Sequence, residues 1–76
     1  MKETIIDEYN RAMNNCKTYM LHDNKSSLLN EIGVLRGVAY CMEISGVPYP
    51  DFTEFRKMID IQQNLKHYYA NIEKES

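Results

Sequence analysis

Apolar residues recur at intervals of three and four in three separate segments of this chain, and this spacing predicts three α-helices. The first helix is predicted from about residue 4 to 22, the second from about 27 to 45 and the third from about 51 to 72. The polar breaks between them are short, so neighbouring helices should run antiparallel. We therefore expect an all-α, antiparallel three-helix fold in a single domain over residues 1–76, with a frayed tail at residues 73–76.

One stripe of apolar side chains on each predicted helix should form the core, because residues three and four apart share a helix face. In the first helix this stripe is Ile6, Tyr9, Met13, Cys16 and Met20. In the second helix it is Leu28, Ile32, Leu35, Ala39 and Met42. In the third helix it is Met58, Ile61, Leu65, Tyr68 and Ile72.

Capping residues mark the predicted helix boundaries. Thr4 is the expected N-cap of the first helix, and Ser26 or Ser27 is the expected N-cap of the second. Gly46 should end the second helix in the left-handed conformation that glycine tolerates. After a connection that two prolines hold extended, Asp51 should cap the third helix.

The predicted second helix is apolar nearly all round, which distinguishes it from the other two. Such a helix is usually buried from several directions, and the two other helices of one chain cover only part of its circumference. We therefore expect a dimer or higher oligomer, packed through the second and third helices. The predicted interface residues are Gly33, Val34, Gly37, Val38 and Cys41.

Two glycines inside this helix, Gly33 and Gly37, lie one turn apart on the same face. Each costs ~1 kcal/mol of helix stability relative to alanine. A face without side chains lets another backbone approach closely. We expect the pair to serve close helix packing, within the chain or between chains. The alternatives are that it leaves room for a ligand or has no special role.

Composition narrows the class of protein. The net charge is −2 with the basic residues scattered, whereas a protein dedicated to duplex DNA normally has a concentrated basic face. Cys16 and Cys41 are predicted to be buried thiols of a reducing compartment rather than a disulfide. The N-terminal segment carries acids where a signal peptide would be apolar, and no apolar run approaches the ~20 residues of a membrane span, so we expect a cytoplasmic protein.

Motifs that would indicate a reaction are missing from the sequence. The histidines and cysteines lack the close spacing of a zinc site. The sequence contains neither a glycine-rich phosphate loop nor a nucleophile elbow. We therefore expect a protein that is not an enzyme, without catalytic residues, metal or cofactor.

Arg36, Tyr40 and Tyr49 are the candidates for contact with a partner or ligand. An arginine in so apolar a helix needs a partner, because a buried unpaired charge is costly. Either Glu43 at a subunit boundary or an acidic group brought by a partner or an anionic ligand would satisfy Arg36, with Tyr40 one turn away. Tyr49, between two prolines, either covers the end of the helical core or anchors an interface.

These features favour a small helical protein-binding module, an adaptor or inhibitor, that self-associates and binds a protein target. Such roles are common among small proteins encoded by phages and mobile elements. The alternative is an oligomer that binds a small anionic ligand, such as a nucleotide, at a subunit junction through Arg36, Tyr40 and Tyr49. A further alternative is a transcriptional regulator, which the stiff connection before the third helix disfavours.

Overall fold

Three α-helices make up the fold: α1 at Lys2–Leu21, α2 at Lys25–Ser45 and α3 at Phe52–Glu75. They belong to a computed structural model that describes the backbone of residues 2–75 and the side chains of residues 4–71. Within residues 2–75 no strand occurs, so the predicted all-α class is confirmed. None of the described helices combines the length and apolarity that crossing a membrane requires.

The starts of α1 and α2 differ from the prediction. Because α1 already begins at Lys2, Thr4 lies inside the helix and is not its N-cap. The N-cap of α2 is Asn24, whose side-chain oxygen accepts a hydrogen bond of 3.2 Å from the backbone N–H of Ser27. The predicted caps Ser26 and Ser27 are therefore wrong: both lie in the first turn of α2, and the shorter turn leaves the capping role to Asn24.

The boundary between α2 and α3 agrees with the prediction. Gly46 adopts φ 72° and ψ 24°, and the N–H of Val47 donates to the carbonyl oxygen of Met42 at 2.8 Å, which closes the last turn as in a Schellman motif. The Asp51 carboxylate accepts from the N–H of Glu54 at 3.2 Å and caps α3. The last helix continues to Glu75, through most of the segment expected to fray.

The core lies mainly between α1 and α2, and α2 contacts both other helices. The predicted stripe of α2 is confirmed, and we call it the inner face of α2. Its members, all at most 5% exposed, are Leu28, Ile32, Leu35, Ala39 and Met42.

The stripes of α1 and α3 are only partly right. Met20 is 44% exposed near the end of α1, whereas Ala12, left out of the predicted stripe, is buried. The buried side of α1 therefore includes Ala12 and excludes Met20, because α1 packs chiefly on one neighbour, α2. In α3, Tyr68 is 46% exposed and its neighbour Tyr69 is half-buried, while Ile72 lies outside the residues whose side chains are described.

The chain is elongated. Its radius of gyration is 13.5 Å and its extents are 46 × 24 × 18 Å, whereas a globular chain of this length would have a radius of gyration of about 11 Å. The accessible surface is 5464 Å², compared with about 4,900 Å² for a typical folded monomer of 9.0 kDa. About 600 Å² of surface is thus left exposed beyond what this chain length requires.

Candidate functional site: the outer face of α2

The side of α2 opposite its inner face is exposed and almost free of charge. We call it the outer face of α2, and its members are Gly33, Val34, Gly37, Tyr40, Cys41 and Ile44. Val34 is 48% exposed, Tyr40 is 64% exposed and Ile44 is 68% exposed. Four members, at intervals of four, three and four residues, form a central row along the helix: Gly33, Gly37, Tyr40 and Ile44.

The two glycines of this row open directly onto free space. Among the residues that the structure describes, no heavy atom lies within 4 Å of a Cβ atom built on Gly33 or Gly37. Close packing within the chain, one of the roles predicted for the pair, is therefore wrong for the described residues. The gap beside the glycines is not filled by any side chain of residues 4–71.

Two of the predicted interface residues differ from each other in burial. Val38 is half-buried against the core and borders a depression that Ala12 of α1 also lines. Cys41 is exposed, which corrects the expectation of two buried thiols. Cys16 is fully buried, and this burial, followed by the charge of Glu31, raises the pKa of the Cys16 thiol to about 11.

Arg36 reaches across to α3 rather than to Glu43. Its Nη1 donates a hydrogen bond of 2.8 Å to Oε1 of Gln62, a side chain that is only 4% exposed. Within residues 4–71 the two ion pairs are Lys25–Asp23 and Lys57–Glu54, so an Arg36–Glu43 pair is not formed inside one chain. This hydrogen bond places Arg36 on the flank of α2 that faces α3.

Tyr49 belongs to an aromatic cluster, which we define as Tyr9, Tyr49, Phe52 and Phe55. Its ring lies 6.1 Å from that of Tyr9, 5.7 Å from that of Phe52 and 5.2 Å from that of Phe55, measured between centroids. Tyr49 is half-buried and its hydroxyl donates to the carbonyl oxygen of Ala39 at 3.5 Å. Of its two predicted roles, this position corresponds to covering the end of the core.

Tyr9 joins α1 to the start of α3 through the same cluster. Its hydroxyl donates to the carbonyl oxygen of Asp51 at 3.3 Å, and its side chain is 1% exposed. Burial, followed by the charge of Asp51, raises the pKa of Tyr9 to about 12. The protonated, neutral tyrosine is therefore the form that the fold favours.

The three candidate contact residues do not form one site. Arg36 and Tyr40 lie one turn apart on α2, while Tyr49 packs in the aromatic cluster. Two exposed residues were missed as candidates, Ile44 on the outer face and Phe52, 53% exposed at the edge of the cluster. The spacing of Ile44 from Tyr40 and Gly37 is the signal that could have identified it.

The outer face is suited to contact rather than to coordination or proton transfer. From Gly33 onward its side chains are small, aliphatic or aromatic, with the hydroxyl of Tyr40 and the thiol of Cys41 as polar atoms, and the exposed amide of Asn30 precedes them on the same side of α2. Among the described residues no group of three or more His, Cys, Asp or Glu side chains is placed to hold a metal ion. Comparison with family models, with curated proteins and with solved structures finds no match for the chain.

Proposed function

We propose that this chain is a self-associating helical protein-binding module, acting as an adaptor or inhibitor. The observation that carries the proposal is the outer face of α2, where two glycines open onto free space beside two large exposed side chains, Tyr40 and Ile44. In this proposal the outer face of α2 makes the contact with the other protein.

The two glycines of the outer face carry an energetic cost in the isolated chain. In a helix interior, Gly33 and Gly37 each cost about 1 kcal/mol relative to alanine. For the isolated chain this is a net loss, because among the described residues nothing occupies the space that they leave. A helix or backbone from outside the chain that enters the gap would offset this cost with close packing and with burial of Tyr40 and Ile44.

The surface that the chain exposes supports the same proposal. The excess of about 600 Å² over a typical monomer of this mass is close to what one partner contributes to a small specific interface. Apolar burial is worth roughly 25 cal/mol per Å², so a cover over part of this surface would be favourable. Val34, Tyr40 and Ile44 on the outer face contribute exposed apolar surface to this total.

The proposal also includes an antiparallel arrangement of the helices in each chain. The hydrogen bond between Asn15 Nδ2 and Glu31 Oε1, at 3.2 Å, joins the later half of α1 to the early half of α2. Val38, further along α2, lines the same depression as the earlier residue Glu8 of α1. This inverse order supports antiparallel packing of α1 and α2, and the Arg36–Gln62 bond together with the approach of Lys25 to the Tyr68 ring supports it for α2 and α3.

The test is the absolute mass in solution by light scattering, over protein concentrations from micromolar to millimolar. We expect the wild-type chain to reach at least twice 9.0 kDa, and Ile44→Glu to remain a monomer because it places a charge in the contact. Leu21→Glu is the matched control: Leu21 is 86% exposed at the end of α1, outside the outer face, so the mass should not change.

A wild-type chain that remains a monomer throughout this range would contradict the proposed self-association. Assembly that Leu21→Glu abolishes and Ile44→Glu leaves intact would place the contact on a different surface. Circular dichroism of both variants at low concentration shows whether they keep the helical fold, which we expect because both side chains are exposed.

A further inference from the structure

We propose that the occupant of the outer face of α2 is a second copy of the same chain, whose α2 lies antiparallel across the first about a two-fold axis. In this pairing Gly37 lies opposite Tyr40 of the second copy. This inference rests on the proposed self-association and adds its orientation and register.

The order of residue sizes along the central row favours the antiparallel orientation. The row begins with the two glycines and ends with Tyr40 and Ile44. If Gly37 lies opposite Tyr40 of the second copy, then Gly33, four residues earlier, lies opposite Ile44 of the second copy, four residues later. Each large side chain then enters a gap, and the two-fold axis repeats both contacts.

A parallel pair would lose this complementarity. Glycine would lie opposite glycine and Tyr40 opposite Tyr40, so bulky side chains would hold the helices apart where they meet. The gaps at the glycines, onto which the chain now opens freely, would then be left unfilled. Interiors and interfaces pack densely, and an unfilled gap forfeits the contacts of its lining.

The charges beside the outer face support the same orientation. Arg36 and Glu43 are seven residues, about two turns, apart and so lie on the same flank of α2, the one that the Arg36–Gln62 bond directs towards α3. An antiparallel pair about a two-fold axis brings this flank against the same flank of the second copy. Arg36 then lies within about 3 Å along the helix axis of the level of Glu43 of the second copy, within reach of its long side chain.

The opposite flank is apolar, and the antiparallel orientation again pairs like with like. It carries Val34 and Cys41, also seven residues apart and both exposed. A parallel pair would instead set Arg36 and Glu43 against Val34 and Cys41, and neither charge would gain a partner. The whole chain exposes about 600 Å² more than a compact monomer of its mass, and burial of that much surface by each copy would total about 1,200 Å², the lower end of specific protein interfaces.

The experiment exchanges the large residue and the gap. Gly37→Leu fills the gap that receives Tyr40 of the second copy, and Tyr40→Ala removes the side chain that fills it. We expect each change alone to weaken the dimer roughly tenfold or more. In the double variant the introduced leucine and the introduced alanine face each other, and the dimerisation constant should return to within a few-fold of wild type. Ala70→Leu, an exposed small-to-large change on α3, is the matched control and should have no effect.

Sedimentation equilibrium gives the dimerisation constants, and thermal unfolding at low concentration confirms that each variant folds. Folding is expected because both positions are exposed, so the variants act on assembly rather than on the core. Weakening by both single changes without recovery in the double variant overturns the antiparallel register. A dimer that neither single change weakens overturns the choice of face while self-association itself stands, and a wild-type chain that never dimerises overturns both proposals.

Discussion

Neither the inner nor the outer face of α2 carries a charged residue, yet the inner face is buried and the outer face is exposed. The five residues of the inner face are at most 5% exposed. On the outer face Tyr40 and Ile44 are more than 60% exposed, and both glycines open onto space that the described residues leave empty. Apolar character along a helix therefore indicates how many sides need a cover, but the tertiary contacts decide which side the chain itself covers.

The largest expected difference between the faces comes from the same substitution made on each. Ile32→Ala on the inner face, where Ile32 is 0% exposed, should lower the free energy of unfolding by about 2–5 kcal/mol. Ile44→Ala on the outer face, where Ile44 is 68% exposed, should change it by less than about 0.5 kcal/mol in the monomer. Urea denaturation at a concentration below assembly measures both.

The same two variants also report on assembly. At a concentration where the chain assembles, Ile44→Ala should reduce the concentration dependence of unfolding, since assembly stabilises the folded state by mass action. Equal destabilisation by Ile32→Ala and Ile44→Ala at high dilution would show that the outer face is buried within the chain and would contradict its exposure.

The next effect concerns the glycines of the outer face. The double variant with Gly33→Ala and Gly37→Ala should raise the free energy of unfolding of the monomer by about 2 kcal/mol, since each alanine is favoured by about 1 kcal/mol in a helix and meets open space here. The same variant should weaken assembly, because the added methyl groups occupy the gap. Thermal unfolding at two protein concentrations separates the two effects by their opposite signs.

Gly46 is the matched control for these glycines. Its φ of 72° is a left-handed conformation that side chains rarely adopt, so Gly46→Ala should destabilise the chain by about 1 kcal/mol. If Gly33→Ala and Gly37→Ala also destabilised the monomer, the open space beside them would already be used within the chain.

One further effect appears only in alkali and concerns two buried groups on the core side, Cys16 and Tyr9. The pKa of Cys16 rises from 9.0 to about 11 and that of Tyr9 from 10.0 to about 12. Both groups are neutral when protonated, so their contribution to stability is complete below the pKa of the unfolded chain and is lost as the pH rises towards the folded pKa. The free energy of unfolding should therefore fall between about pH 9 and pH 12.

Tyr9→Phe separates the two contributions. It should flatten the part of the decline between about pH 10 and pH 12 and leave the part that begins near pH 9, which belongs to Cys16. The measurement is urea denaturation at a series of pH values for both proteins. Identical pH profiles would mean that Tyr9 ionises without unfolding and that its burial does not hold it neutral.

The sequence predicted best those features that short-range chemistry determines. The inner face of α2 follows from spacing alone, and Gly46 and Asp51 act as caps through bonds to residues only a few positions away. Asn24 was missed in favour of Ser26 or Ser27 because both residue types cap helices, and only the backbone conformation selects one position among the three.

Features that depend on the packing of distant segments could not be predicted from periodicity. Met20 continues the stripe of α1 but is exposed, whereas Ala12 is small enough to be buried where α1 meets α2. The bond from Arg36 to Gln62 joins two helices, and no local pattern distinguishes it from a pair with Glu43. The candidate site was therefore predicted at the level of the helix, and Ile44 was left out of the predicted site residues although its spacing places it in the central row.

The aromatic cluster gives the chain an intrinsic optical signal for the docking of its third helix. Because the sequence has no tryptophan, its near-ultraviolet circular dichroism comes chiefly from tyrosine and phenylalanine rings. The ring planes of Tyr49 and Phe52 lie within 7° of each other, and Tyr9 from α1 and Phe55 from α3 lie against Tyr49. A chain that kept its helices but lost this packing would retain the far-ultraviolet signal and lose the near-ultraviolet one, so secondary structure and tertiary docking can be followed separately in one sample.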